Sequence, residues 1–257
     1  LNASDLNRML DEESGVIEVD QDVYGLVKVK AGTRVTALVI RGSVPDGIVL
    51  GGNSLPAANR YLAVEGTYTE QHATSGATRV CGSKLLYSHP GNTPALEQFT
   101  LIATCIGDKS KGTGIYGVHL KNCNLCVNVS GYSEHGIFLT ECENVTVSGS
   151  IIAGIGTKDK TGGGYGIELA SCRNCIATNT RFSEVRYGVS LSLGGVGNFV
   201  HELSGSAWVA HADFHGGGER DSVISHVPIV KPFNESWTIG PVNARFNNCQ
   251  TILQEHL

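Results

Sequence analysis

Tyr116-Gly-Val-His-Leu120, His135-Gly-Ile-Phe-Leu139, Tyr165-Gly-Ile-Glu-Leu169 and Tyr187-Gly-Val-Ser-Leu191 are four copies of one phrase. Each reads as an aromatic ring or imidazole, a glycine, an apolar residue, a variable residue and a second apolar residue. The starts lie 19, 30 and 22 residues apart. Apolar and variable positions alternate with period two, which marks a strand and not a helix. No helical pattern of ~12 residues separates the copies, so a βαβ architecture is removed. A period near 20 residues, with turns rich in Asn, Gly and Ser, reads as a parallel β-helix. At about 22 residues per coil, 257 residues hold about eleven coils at most. Stacked at ~4.8 Å per coil they would make a rod of about 55 Å.

The same register predicts faces. Val118, Leu120, Ile137, Leu139, Ile167, Leu169, Val189 and Leu191 point inward and stack. His119, Phe138, Glu168 and Ser190 form one outward ladder. Cys123, Cys142 and Cys172 each follow a copy by seven residues and are expected to stack at a turn. Cys123 and Cys172 belong to two CxxC pairs, Cys123–Cys126 and Cys172–Cys175, which alone would suggest zinc. Two coils separate the pairs, roughly 10 Å, too far for one tetrahedral ion with ~2.3 Å bonds. A ladder of buried thiols, with no metal and no cofactor, is the reading taken, and it implies assembly in a reducing cell.

Composition narrows the class. The chain is 41% hydrophobic and 17% charged, which argues against disorder. No apolar stretch approaches the ~20 residues of a membrane span. A net charge of −5 gives no general case for nucleic acid. Residues 1–14 lack the apolar segment of a signal peptide. Ser4 to Leu10 reads instead as a short amphipathic helix covering the open end of the solenoid. The expected architecture is all-β: a right-handed parallel β-helix with a short N-terminal capping helix. Residues 1–30 would be the cap and first coil, 31–205 the β-helix, and 206–257 terminal coils or a small C-terminal element. Residues 51–98 read as coils with long loops.

The cap helix, the Gly15-Val-Ile-Glu-Val19 strand and the Tyr-Gly coils resemble right-handed β-helix proteins of the pectate-lyase-like group, and within it phage tailspike and tail-fibre proteins. The stretch Trp208 to Asp221 is similar to a His-bearing strand of such fibres. The resemblance implies a homotrimer on a virion tail, working with other tail proteins outside the host cell. It implies binding and hydrolysis of a bacterial surface polysaccharide, capsule or O-antigen. The alternatives are a non-catalytic receptor-binding fibre, a polysaccharide lyase, or a shaft that only spaces other domains. Fold alone does not choose among them.

Glycoside hydrolysis needs two carboxyl groups flanking the bond. Glu168 is the one acid in the outward ladder, and the Gly154 to Gly164 insertion carries Asp159 toward it. Glu168 and Asp159 are therefore the expected catalytic pair, a solvated Glu and a loop Asp being the plainer alternative. His119, Phe138 and Arg186 are candidate substrate contacts. His211, Asp213 and His215 alternate along one strand and are expected on one face, for binding or proton transfer, or as an ordinary polar face. Glu143 and Arg173 share a repeat position and are expected to form a stacked ion pair. Glu141 reads as solvated, Glu134 as a possible groove residue, and Tyr132, His226 and Trp237 as packing or surface residues. The four Asn-x-Ser/Thr sequons are assigned no function.

Overall fold

A computed structural model describes residues 1–51, 69–71, 78–80, 94–156, 163–215, 219–232 and 241–252. Ala3–Glu12 is the α-helix. Asn2 caps it, its side-chain oxygen accepting from the Ser4 N–H at 2.9 Å. Ala3, Leu6 and Leu10 are buried, and the helix packs on the strands Val27–Val29 and Arg34–Ser43. The amphipathic spacing thus does what a solenoid end requires, covering apolar rungs that would otherwise face water.

Most of the other described residues form a parallel β-solenoid of about eight turns, and Thr69–Gln71 pairs antiparallel with Thr78–Val80 apart from it. One ladder begins with Ser14–Val19 and passes through Arg34–Ser43, Thr100–Ile106 and Asn124–Ser130. A second carries the repeated phrase. It runs from Val27–Val29 through Ile48–Leu50, Thr113–Val118, His135–Thr140 and Tyr165–Ala170. It continues through the ends of Arg181–Ser192 and Ser204–His215 to Ile229–Lys231 and Gln250–Thr251. A third line is made of single bridges from Lys121 through Glu143, Arg173, Val196 and Arg220 to Val242. Rungs therefore persist well past residue 205. The turns are fewer than eleven because Arg34–Ser43 and Ile48–Leu50 pair directly with Thr100–Ile106 and Thr113–Val118. The expectation of coils over 51–98 falls mostly outside the described residues.

Stacking makes the core. Val27, Ile48, Ile115, Ile137, Ile167, Val189, Ala212 and Val230 form one column, all with no exposed surface. The expected column was right at Ile137, Ile167 and Val189 but wrong at Val118, which lies opposite Thr140. The in-register copy on that rung is Thr113-Gly-Ile-Tyr-Gly117, three residues earlier than the Tyr-Gly dipeptide indicated. Its Ile115 can fill the aliphatic column, whereas the later placement would force a strand through the turn at His119, where φ is +52°.

The same three-residue offset corrects the thiols. Leu120, and not Cys123, precedes the bridge residue in the position of Cys142 and Cys172. Cys123 instead aligns with Cys175 through Val145, one position before the Asn124, Thr146 and Ile176 register. All the described cysteines are free, and Cys105, Cys123, Cys142, Cys172 and Cys175 are buried as small apolar groups.

Glycine in the phrase serves close approach, not a positive φ. A Cβ on Gly136 would lie 2.6 Å from the Gly166 carbonyl oxygen, and one on Gly188 2.4 Å from that of His211. Asn serves the turns. Asn122, Asn144, Asn174 and Asn243 all adopt left-handed φ of +51° to +55°, which Asn tolerates better than most residues. Asn144 also donates to the Asn122 side-chain oxygen at 3.1 Å.

Candidate functional site

The outer side of the second ladder carries three neighbouring columns. One is Tyr116, Phe138, Glu168, Ser190 and Asp213. Beside it run Thr113, His135, Tyr165, Tyr187 and Ala210, and then Val118, Thr140, Ala170, Ser192 and His215. Tyr165, Tyr187, Val209 and Ala210 form an apolar cluster separate from the main core. His135 stacks on Phe138 and Tyr165 with centroids 4.9 and 5.3 Å away, and Tyr165 stacks on Tyr187 at 5.6 Å.

Glu168 sits within this layer. Its Oε2 lies 2.7 Å from His135 Nε2, and its Oε1 accepts from the Ser192 hydroxyl at 2.7 Å. An ionised carboxylate only accepts, so His135 Nε2 carries the hydrogen. Burial alone would raise the Glu168 pKa. The His135 hydrogen bond and charge, the Ser192 hydroxyl and the nearby His215 outweigh it, and the carboxyl is held below its ordinary range. The site therefore keeps an anion while leaving the side chain only 13% exposed.

A second polar chain adjoins the first. Tyr165 Oη is 3.1 Å from His215 Nε2, and His215 Nδ1 is 3.2 Å from Asp213 Oδ2. Asp213 has no exposed surface, and its Oδ1 has no hydrogen-bond partner among the described residues. The Ser190 hydroxyl, on the adjoining rung of the same column, is likewise buried without a partner.

The sequence-predicted residues divide clearly. Glu168, Phe138, Asp213 and His215 meet in this layer. Arg186 stands at its edge, its guanidinium 5.0 Å over the Tyr187 ring. His119 does not join the ladder. It lies in the turn after Thr113–Val118, with Nε2 2.8 Å from Glu141 Oε2, so Glu141 is partnered as well. His211 separates from Asp213 and His215, its Nε2 facing the Gly205 carbonyl at 3.2 Å. Strict alternation fails there because His211 follows Gly188 in the close-approach column, and Ala210 joins the outer cluster. Glu143 and Arg173 bridge through backbone, with no ion pair between their side chains. Tyr132 is packing, its hydroxyl donating toward the Val44 and Pro45 carbonyls. Asp159 and Trp237 lie outside the described residues.

His135, Tyr165 and Ser192 were missed as site residues. His135 had a signal: it is the one copy that opens on imidazole where the others have a tyrosine. Among the described residues no group of three His, Cys, Asp or Glu side chains is placed to hold a metal ion.

The class defined by the fold is a parallel β-solenoid with a buried carboxylate–imidazole layer on one outer face. No protein-family model and no curated protein matches the chain. Among solved structures it is similar to an alginate lyase from Paenibacillus, at 13% identity over 97% of this chain and 74% of that one, with a TM-score of 0.42. A glycosyl hydrolase candidate from Parabacteroides merdae is similar at 11% identity over 98% and 91% of the two chains, with a TM-score of 0.39. Endopolygalacturonase I from Stereum purpureum is similar at 12% identity over 100% and 99%, with a TM-score of 0.27.

Proposed function

We propose that the chain binds an extended polysaccharide along the outer side of the second ladder and hydrolyses it at Glu168. The observation that carries this reading is the carboxylate itself. It is outside the main core, clamped by an imidazole and a hydroxyl, held ionised and still in reach of solvent. Such a group suits the base or nucleophile of glycosidic-bond cleavage better than the acid, because it has no proton to give at neutral pH. A repeated face of parallel rungs also suits a repeating polymer better than a compact metabolite.

The finer reading is a tailspike-like depolymerase of a bacterial capsule or O-antigen, trimeric and carried on a virion tail. What supports it is the resemblance of the cap helix and Tyr-Gly coils to that group. The test is a screen of purified capsules and O-antigens for binding and for release of reducing ends, with light scattering for the trimer. Glu168→Gln is expected to reduce release by 100-fold or more, the usual scale for a catalytic acid or base, while binding persists. Unchanged release by that variant would remove the site assignment, and binding without product by the wild type would leave a receptor-binding protein.

A further inference from the structure

We propose that Tyr165 is the proton donor of this cleavage, with His215 and Asp213 as the positioning residues that resupply its proton. The inference rests on the reading of the outer face as a glycan-cleaving site.

Tyr165 and Glu168 stand on the same strand, three residues apart, and interact with each other; both interact with His215, and Tyr165 also with Asp213. The Tyr165 hydroxyl, the His215 ring and the Asp213 carboxylate form one hydrogen-bonded line. The Asp213 side chain is fully buried, its Oδ1 has no hydrogen-bond partner among the described residues, and its register partner on the next rung is the buried Lys231. A buried carboxylate is costly unless a neighbouring charge compensates it. Through Oδ2 it favours positive charge on the His215 ring and fixes the ring's orientation, as a buried carboxylate does for a catalytic histidine. His215 keeps 21% of its side chain exposed, so protons can enter the line from solvent. Burial, with the negative charges of Glu168 and Asp213, holds the Tyr165 hydroxyl protonated far above neutral pH. That makes the phenol a weak acid by itself, so it can give its proton only as His215, 3.1 Å away, replaces it.

The step balances. Water attacks the anomeric carbon and gives a proton to Glu168. The glycosidic C–O bond breaks, its electron pair going to the leaving oxygen, which takes the Tyr165 proton. In the same movement the Tyr165 oxygen takes the Nε2 proton of the His215 imidazolium, so no free phenolate forms, and neutral imidazole is left with Nδ1–H on Asp213. Afterwards Glu168 loses its proton to solvent and His215 regains one.

Two measurements on the intact chain test this. Nitrogen-15 histidine NMR, with no substrate present, reads the line directly. Asp213→Asn is expected to lower the His215 titration midpoint by about one unit or more, and Tyr165→Phe to move the Nε2 resonance while the ring stacks on His135 and Tyr187 remain. Among the described residues, Asp213, Glu168, Tyr165 and Tyr187 face His215, and the buried Lys231 pairs with Asp213 on the next rung, so Glu168→Gln and Lys231→Met are compared with Asp213→Asn, which is expected to have the largest effect. In the second measurement, Tyr165→Phe is assayed on the glycan from the screen and on a nitrophenyl glycoside of the same sugar. A proton donor is expected to be needed for the polymer, with kcat down 100-fold or more and KM little changed, and dispensable for the activated leaving group. Glu168→Gln should lose both. Polymer cleavage at the wild-type rate by Tyr165→Phe, or a His215 titration untouched in Asp213→Asn, overturns the proposal while leaving Glu168 as the cleavage residue. If Asp213→Asn does not fold, Tyr165→Phe decides alone. If the wild type cleaves no glycan, the proposed function and the donor role fall together, whatever the NMR shows.

Discussion

Two buried carboxyl groups in this chain have opposite pH behaviour. Glu168 has company: His135, Ser192 and the field of His215 more than offset its desolvation. Its folded pKa is below the ordinary 4.5, so its contribution to stability is present above pH 4.5 and disappears as pH falls through the folded value. Glu219 has less. Burial pushes it up to about 7, and hydrogen bonds from the Gly195 and Gly194 N–H groups and Asn198 only partly compensate. Its neutral form is favoured in the folded state, so its contribution is intact below pH 4.5 and is lost as pH rises through about 7. Glu219→Gln keeps an acceptor for the Gly195 N–H, now bound at 2.7 Å, and removes the charge. We expect the variant to gain on the order of 3 kcal/mol relative to wild type between pH 4.5 and 8, measured by urea unfolding at several pH values. Glu168→Gln should instead flatten the loss of stability on the acid side. Glu168 was legible in the sequence because it interrupts an acid-free ladder. Its partner was not, because period-two alternation sets His135 on the side of Ile137 and Leu139, whereas its ring stacks on Phe138 in the outer layer.

At the scale of a strand, the phrase owes its glycine to the next rung. Gly188 leaves no room for a methyl group: a Cβ would lie 2.4 Å from the His211 carbonyl oxygen and 3.0 Å from the Phe182 ring. The backbone that would have to give way leads straight into Asp213 and His215. Gly188→Ala is therefore expected to cost about 1–3 kcal/mol, the usual range for overpacking. For a chain of this size that lowers the melting temperature by roughly 2–4 °C per kcal/mol. It should also disturb the His215 resonances, a readout that a remote destabilising change would leave alone. The period-two pattern made these strands readable, and it failed where register depends on neighbours. The spacing of 19 between the first two starts was the signal, since the true rungs from Thr113 to His135 and from Tyr165 to Tyr187 are each 22 residues apart. Likewise the alternation of His211, Asp213 and His215 was visible, but the close-approach position that turns His211 away is a property of two rungs together.

For the molecule as a whole, the fold was readable because a solenoid repeats its instructions, and each coil needs only its neighbours to bury an aliphatic column. That organisation has two measurable consequences. Thiol chemistry should be graded by depth: Cys126 is exposed, Cys249 is half-buried, and the Cys105 thiol is pushed up to about 12 by burial. An aromatic disulfide reagent should modify Cys126 rapidly in the native chain and reach Cys105, Cys123, Cys142, Cys172 and Cys175 only on unfolding. Prompt reaction of the buried set would mean that the stacked turns open far more readily than their packing implies. The second consequence concerns the covered end. Leu6 and Leu10 have at most 1% of their surface exposed, and the helix that carries them lies on the first rungs. Leu6→Ala removes a buried side chain at a cost of about 2–5 kcal/mol. Because contacts in a solenoid are local, that loss should fall on the cap and the rungs around Val27–Val29, not on the distant Glu168 layer. Hydrogen exchange is expected to rise in residues 1–50 and stay unchanged across 135–215, while the uncovered edge promotes self-association seen as added mass in light scattering. Uniform acceleration of exchange along the chain would instead mark one global cooperative unit.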